Sequence, residues 1–200
     1  MKNLFLHIAL FFSLVCFSQN EQLAQYYFDK GDFEKARISF EELVKATPQN
    51  SQYFQKAIEC YQQLQQFDVA EKAIQTRLDK YKQSSLLVEL GYNFKIQQQE
   101  DKAQQYFEQA LAKIKSNPNE VYGIANSFER KVLLDYALQA YQMAMELQPN
   151  FNFNYQMGLL YGQLGNTDMM ISTFLDEAFA RQESTSVVKS PRNEEGSMRS

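Results

Sequence analysis

A 200-residue chain with one histidine, His7, and two cysteines, Cys16 and Cys60, has few groups for covalent or metal chemistry. It contains no Gly-rich phosphate loop, no EF-hand spacing and no HExxH. Paired carboxylates occur, as at Glu41 and Glu42, but neighbouring positions on a helix point apart and cannot share a substrate. Two of the three reactive residues also stand in a segment that reads as a leader. In "MKNLFLHIALFFSLVCFSQN", Lys2 is followed by an apolar stretch from Leu4 to Phe17 and then by small and polar residues. That stretch is well short of the ~20 residues a membrane span needs and suits a secretory signal. Cleavage is expected after Ser18, with Cys16 and Ser18 at the small-residue positions. The mature chain would then hold no histidine and only Cys60, so it could build no Ser-His-Asp or Cys-His centre, no His-ligated metal site and no internal disulfide. No catalytic residue, metal ligand or cofactor is expected, and Cys60 reads as a small buried hydrophobe.

The expected product is exported, to the periplasm or in association with the outer membrane, with no membrane span once the signal is removed. One alternative is an uncleaved anchor. Another is a lipoprotein signal with Cys16 acylated, for which Val15 stands where Gly, Ala or Ser belongs. A net charge of −4 and a pI near 5.2 argue against a nucleic-acid partner.

What remains is binding, and the elements that would position it are helical. Gly and Pro are scarce, at 7 and 4, and Gln is abundant, which favours long helices over sheets. Three columns of residues repeat with one period. An aromatic recurs at Tyr27, Tyr61, Phe94, Phe128 and Tyr161, with spacings of 34, 33, 34 and 33. A small or apolar residue recurs at Ala36, Ala70, Ala103, Ala137 and Met170, and a large apolar one at Phe40, Ile74, Phe107, Tyr141 and Phe174, with the same spacings. The pattern predicts helices at 21–30, 33–46, 51–64, 67–80, 84–97, 100–115, 119–131, 134–147, 152–164 and 167–181. Gly31 and Gly165 suit a turn with positive φ between paired helices, and Pro48, Pro118 and Pro149 suit helix ends. The tail from 182 to 200, rich in Ser and charge, reads as disordered or as a linker.

"LGYNF" at Leu90–Phe94, "MGLLY" at Met157–Tyr161 and "AYQMAMELQP" ending at Pro149 resemble the tetratricopeptide repeat (TPR) family, whose unit is a helix-turn-helix. The departures are Lys82 at a Pro position, Ala24, Ile58 and Ala125 at the family's Gly, and Met170 at its Ala. The resemblance implies an all-α, right-handed α-solenoid of about five units over residues 19–181, with repeats near 17–50, 51–83, 84–117, 118–150 and 151–181. No single unit buries its apolar face, so each must stack on the next. Nothing after Arg181 reads as the polar cap such an array needs.

The resemblance further implies that the first helix of each unit lines a concave groove. Helical phase then selects Gln25 and Phe28, then Gln55, Glu59 and Gln62, then Val88, Tyr92 and Lys95, then Tyr122, Asn126 and Arg130, and lastly Tyr155 and Leu159. Amides can donate to and accept from a peptide backbone, and Tyr offers flat area with one polar tip. The Lys/Asn carboxylate clamp of some TPR domains is absent. Glu21 precedes Gln25 where a Lys is needed, and Tyr122 replaces the Lys beside Asn126. The expected function is a protein-interaction scaffold of the bacterial cell envelope that takes a peptide or a partner protein in its groove. The alternative is the N-terminal docking or sensing region of a longer protein that carries an enzyme or signalling module.

Overall fold

A computed structural model of the chain describes residues 20–189, with side chains to residue 182. His7, Cys16 and the expected leader lie outside the described residues. Ten helices follow in order: α1 (residues 20–29), α2 (Phe33–Ala46), α3 (Ser51–Gln63), α4 (Phe67–Tyr81), α5 (Leu86–Lys95), α6 (Glu100–Ser116), α7 (Val121–Arg130), α8 (Leu134–Leu147), α9 (Asn154–Gln163) and α10 (Thr167–Lys189). A short 3-10 turn, Pro118–Glu120, leads into α7. No strand occurs among the described residues. The fold is all-α and of the helix-turn-helix solenoid class, as the period predicts. The chain forms two compact units, one through Tyr106 and one from Phe107, divided within α6.

Five helical hairpins share one turn. In each, the chain takes a single left-handed residue after the first helix: Gly31 (φ 75°), Gln65 (58°), Gln98 (61°), Val132 (55°) and Gly165 (74°). The next backbone N–H reaches back five residues to the carbonyl of the aromatic column. Asp32 donates to Tyr27, Gln66 to Tyr61, Gln99 to Phe94, Leu133 to Phe128 and Asn166 to Tyr161, at 2.8–3.1 Å. This is a Schellman closure, which satisfies a carbonyl the helix end would otherwise orphan. The two glycines adopt it freely, while Gln65, Gln98 and the β-branched Val132 hold it against their own sterics.

Second helices stop by two devices. Thr47, Asn117 and Gln148 leave helical geometry just before Pro48, Pro118 and Pro149, because a residue before proline is driven extended. Repeat 2 has no proline, and Lys82 instead turns left-handed at φ 54° with its N–H on the Leu78 carbonyl. α10 departs from expectation. It continues past Arg181 to Lys189, so residues 182–189 are helical rather than disordered. No Gly or Pro stands between Gly165 and Pro191 to break it.

The columns pack as their spacing requires. Ala36, Ala70, Ala103 and Ala137 are fully buried, and Phe40, Ile74, Phe107 and Tyr141 fill the space beside them. In the first unit, Ala24, Ala36, Phe40, Leu43, Ala57 and Cys60 form one cluster, and Phe54, Ile58, Ala70, Ile74, Leu86 and Leu90 a second. In the second unit, Phe128 stacks on Tyr136 with centroids 5.2 Å apart and meets Phe107 edge-on at 5.5 Å. The last hairpin holds a close approach. A Cβ at Gly158 would stand 2.5 Å from Cε1 of Phe174, so only glycine lets that ring lie against α9.

Three outcomes are expected. Phe128→Ala removes a wholly buried ring and should cost about 3–5 kcal/mol, read by urea unfolding. Val132→Gly should do the opposite. Val132 is 72% exposed, so little burial is lost; relief of about 1–2 kcal/mol of left-handed strain outweighs roughly 0.5–1 kcal/mol of added backbone entropy. A rise in Tm of about 2–4 °C is expected by calorimetry. Cys60 is fully buried, and burial, with Glu59 adding to it, pushes its thiol up to about 12. At pH 8 a thiol-exchange reagent should modify it roughly a thousandfold more slowly in native protein than in denaturant.

Candidate functional site

The first helices of the hairpins, α1, α3, α5, α7 and α9, carry the candidate binding residues, and each unit is built differently. In the first unit Gln25 is half-buried and donates to Oδ1 of Asp29 at 2.7 Å. Phe28 lies against the first core cluster, edge-on to Phe33 and Phe40. Its open face carries a cation, with Lys56 Nζ 3.9 Å from the ring centroid. Lys56 also pairs with Glu59 at 2.9 Å, each side chain about one-third exposed (33% and 34%). Phe28, Lys56 and Glu59 thus make a ring, a cation and an anion in series across α1 and α3, which fixes rotamers that would otherwise be free. Gln55 and Tyr92 are half-buried, and Lys95 bonds Glu100 at 3.4 Å. Glu21, the acid at the clamp position, accepts from the Tyr53 hydroxyl at 2.9 Å. Burial raises the Tyr53 phenol above its usual range, and Glu21 adds to the rise.

In the second unit the candidate rings, Tyr122 and Tyr155, stand out from the surface. Tyr122 is 58% exposed, yet its ring is edge-on to Phe151 at 5.8 Å and Phe153 at 5.5 Å. Phe153 is buried and tilts against Tyr141 at 4.8 Å, so Tyr122 rests on a core-anchored aromatic stack. The Tyr141 hydroxyl donates to Glu129 at 2.6 Å, and burial first, then this bond, raises its phenol. Two turns along α7, Arg130 donates to Asn126 Oδ1 at 2.8 Å and to the Ser127 hydroxyl at 2.9 Å, and both Asn126 and Arg130 are exposed. On α9, Tyr155 is 49% exposed and tilts 6.0 Å from Phe174, with Leu159 one turn further and also exposed.

Two assignments change. Val88 is buried, because α5 begins "LLVEL" and is covered on nearly every side: Leu86, Leu87, Val88, Glu89 and Leu90 are all buried. A near-continuous apolar run has no outward face for phase to find. Gln62 is also buried. Its Nε2 donates to Asn93 Oδ1 at 3.3 Å, and Asn93 Nδ2 donates to the Phe67 carbonyl at 3.1 Å. The pair is internal, and its bonds are what permit it to be so.

Two features escaped the sequence reading. Cys60, Asn93 and Ser127 keep the same 33- and 34-residue spacing and are all buried, a fourth column that was legible but hidden by its mixed chemistry. Arg77, in the middle of α4, is buried too. Nothing about a lone Arg among charged neighbours signals this. Among the described residues no group of three His, Cys, Asp or Glu is placed to hold a metal ion, and no helix is long and apolar enough to cross a membrane.

Comparison with curated proteins yields no match. Among solved structures, similar folds include a MamA protein (18% identity, 92% of this chain and 98% of that one, TM-score 0.40). Another is MamA from Desulfovibrio magneticus RS-1 (13% identity, 84% and 96%, TM-score 0.42), and a third is BtubC from P. vanneervenii (14% identity, 92% and 85%, TM-score 0.41). These TM-scores are too low to bear on function. The family model for the tetratricopeptide repeat matches residues 20–50, 84–112 and 151–176. Those segments fall on the hairpins α1–α2, α5–α6 and α9–α10. With the shared turn and the packed columns, they identify these three hairpins as tetratricopeptide repeats.

Proposed function

We propose that this protein is an interaction scaffold of the bacterial cell envelope that binds a peptide or a partner protein on the first helices of its hairpins. The observation that carries the reading is Tyr122. A ring more than half exposed, yet braced by Phe151 and Phe153, offers apolar area and a hydroxyl with little rotamer freedom left to lose. Asn126 and Arg130 on the same helix add an amide and a cation, and Tyr155 and Leu159 repeat the exposed pattern on α9. Such a surface suits an extended segment with alternating apolar and polar groups. The leader-like residues 1–18 support an envelope location. Binding at equilibrium, with no chemical step, is the proposed mechanism.

A second reading is favoured by α10. Ile171, Leu175 and Phe179 recur at four-residue steps and are all about half exposed or more, an apolar stripe of the kind the next layer of an array covers. It supports a docking region that belongs to a longer protein.

A photo-crosslinker at position 122, used in cells, tests the first reading. A discrete adduct, lost when excess unlabelled protein competes but not when excess Tyr122→Ala protein does, is expected. A smear of adducts that both competitors reduce equally would remove Tyr122 from recognition. Native protein running far above about 20 kDa on a denaturing gel would favour the second reading. Because Phe151 and Phe153 hold the Tyr122 ring, Tyr122→Ala itself should cost about 1 kcal/mol of stability, well below the cost of Phe128→Ala.

A further inference from the structure

A pocket lies in the first unit, away from every residue discussed as a binding surface. It is an open cleft of about 410 Å³ between the end of α2, the start of α3 and one face of α4. Its wall is apolar, formed by Val44, Pro48, Phe54, Val69 and Ala73. Three cations also line it, Lys72, Arg77 and Lys80, and no carboxylate does.

Arg77 is the unusual member. It is 6% exposed, and its guanidinium sits 4.5 Å from the Phe54 centroid and 5.0 Å from that of Tyr81. Its bonds go only to neutral oxygens: Nη1 to the Pro48 carbonyl at 2.8 Å and Nη2 to the Ser51 hydroxyl at 3.4 Å. Nε has no partner at all. Among the described residues no acid pairs with it, and burial lowers its proton affinity, which Tyr81 offsets only in part. A buried cation normally has a counter-ion, because desolvation otherwise outweighs what neutral partners return. Two ring faces and a carbonyl offset part of this cost. The charge itself is uncompensated, and Lys72 and Lys80 at the rim add to the positive field rather than relieve it.

We infer that this pocket binds a peptide carboxylate, held by Arg77 and guided by Lys72 and Lys80, with an adjoining apolar side chain against Val44, Phe54 and Val69. A planar guanidinium recognises a carboxylate through parallel N–H bonds. The apolar wall excludes ions that carry no hydrocarbon. A carboxylate beside a leucine-sized group is offered by a peptide C-terminus or by Glu among apolar residues. The pocket shares no residue with the Tyr122 surface, so the two can fail separately.

Titration of the isotope-labelled full chain by NMR decides the matter. The probes are Ac-Ala-Leu-Leu with a free C-terminus, the same peptide as its amide, Ac-Leu-Glu-Leu amide, and sodium acetate. At least one acidic peptide should give saturable shifts at Val69, Ala73 and Arg77, with the neutral amide and acetate each at least about tenfold weaker. The tighter of the two acidic peptides names the source of the carboxylate. Arg77→Met should abolish the shifts. Because that change also removes the bonds to Pro48 and Ser51, Val69→Asp serves as a second variant. Val69 is about half exposed, so the fold tolerates the change, while an acid at the mouth repels or replaces the ligand. Equal binding of acid and amide, acetate binding as well as the peptides, unchanged binding by Val69→Asp, or no saturable shift at millimolar peptide would each overturn the inference.

Discussion

A single backbone hydrogen bond, made five times, sets the geometry on which everything else rests. The N–H that follows the left-handed residue after each first helix closes on the carbonyl of Tyr27, Tyr61, Phe94, Phe128 or Tyr161. The residue that supplies this carbonyl also supplies the aromatic ring that fills the hairpin. Turn and core are therefore coupled through one position. A ring in the column is held where the turn needs its carbonyl, and the turn aims the second helix so that an alanine faces that ring's neighbourhood. This coupling explains why an aromatic column can keep its period while the turn residue itself varies from Gly to Gln to Val.

That variation also marks where the chain accepts strain. The αL position tolerates a β-branched side chain only because the closure around it is over-determined, by the 6→1 bond on one side and packed columns on the other. The end of the second helix is regulated more loosely. Three hairpins stop at a proline, while a fourth, α3–α4, stops at Lys82 by adopting the same left-handed conformation. Both devices satisfy the same need, which is to let the chain leave one helix without orphaning its last carbonyls.

The fold was legible because its evidence is redundant. Ala36, Ala70, Ala103 and Ala137 state the period, and Phe40, Ile74 and Phe107 state it again. The candidate surface was legible only in part. Phase sets Tyr122, Asn126, Arg130 and Tyr155 off the core columns of their helices, and they are exposed. The same phase misplaces Val88, since periodicity identifies the face turned to one neighbour and says nothing about a second. It misplaces Gln62 for a different reason: whether an amide is buried depends on a partner 31 residues away, Asn93. Arg77 was illegible altogether. Its burial follows from the Pro48 carbonyl and the rings of Phe54 and Tyr81 closing round it, which no local pattern encodes. The end of α10 was misread because composition stood in for the absence of a helix breaker.

The hairpin closure has a temporal side as well. Each closing bond spans five residues, and the helices it joins are neighbours in the chain. Little loop entropy has to be lost before the first contacts reward it. Ordering can therefore begin within any one hairpin, and it does not wait for residues far along the chain. A polypeptide emerging from a narrow exit, N-terminus first, could set each hairpin as soon as its second helix was clear, with the next arriving onto a surface already in place.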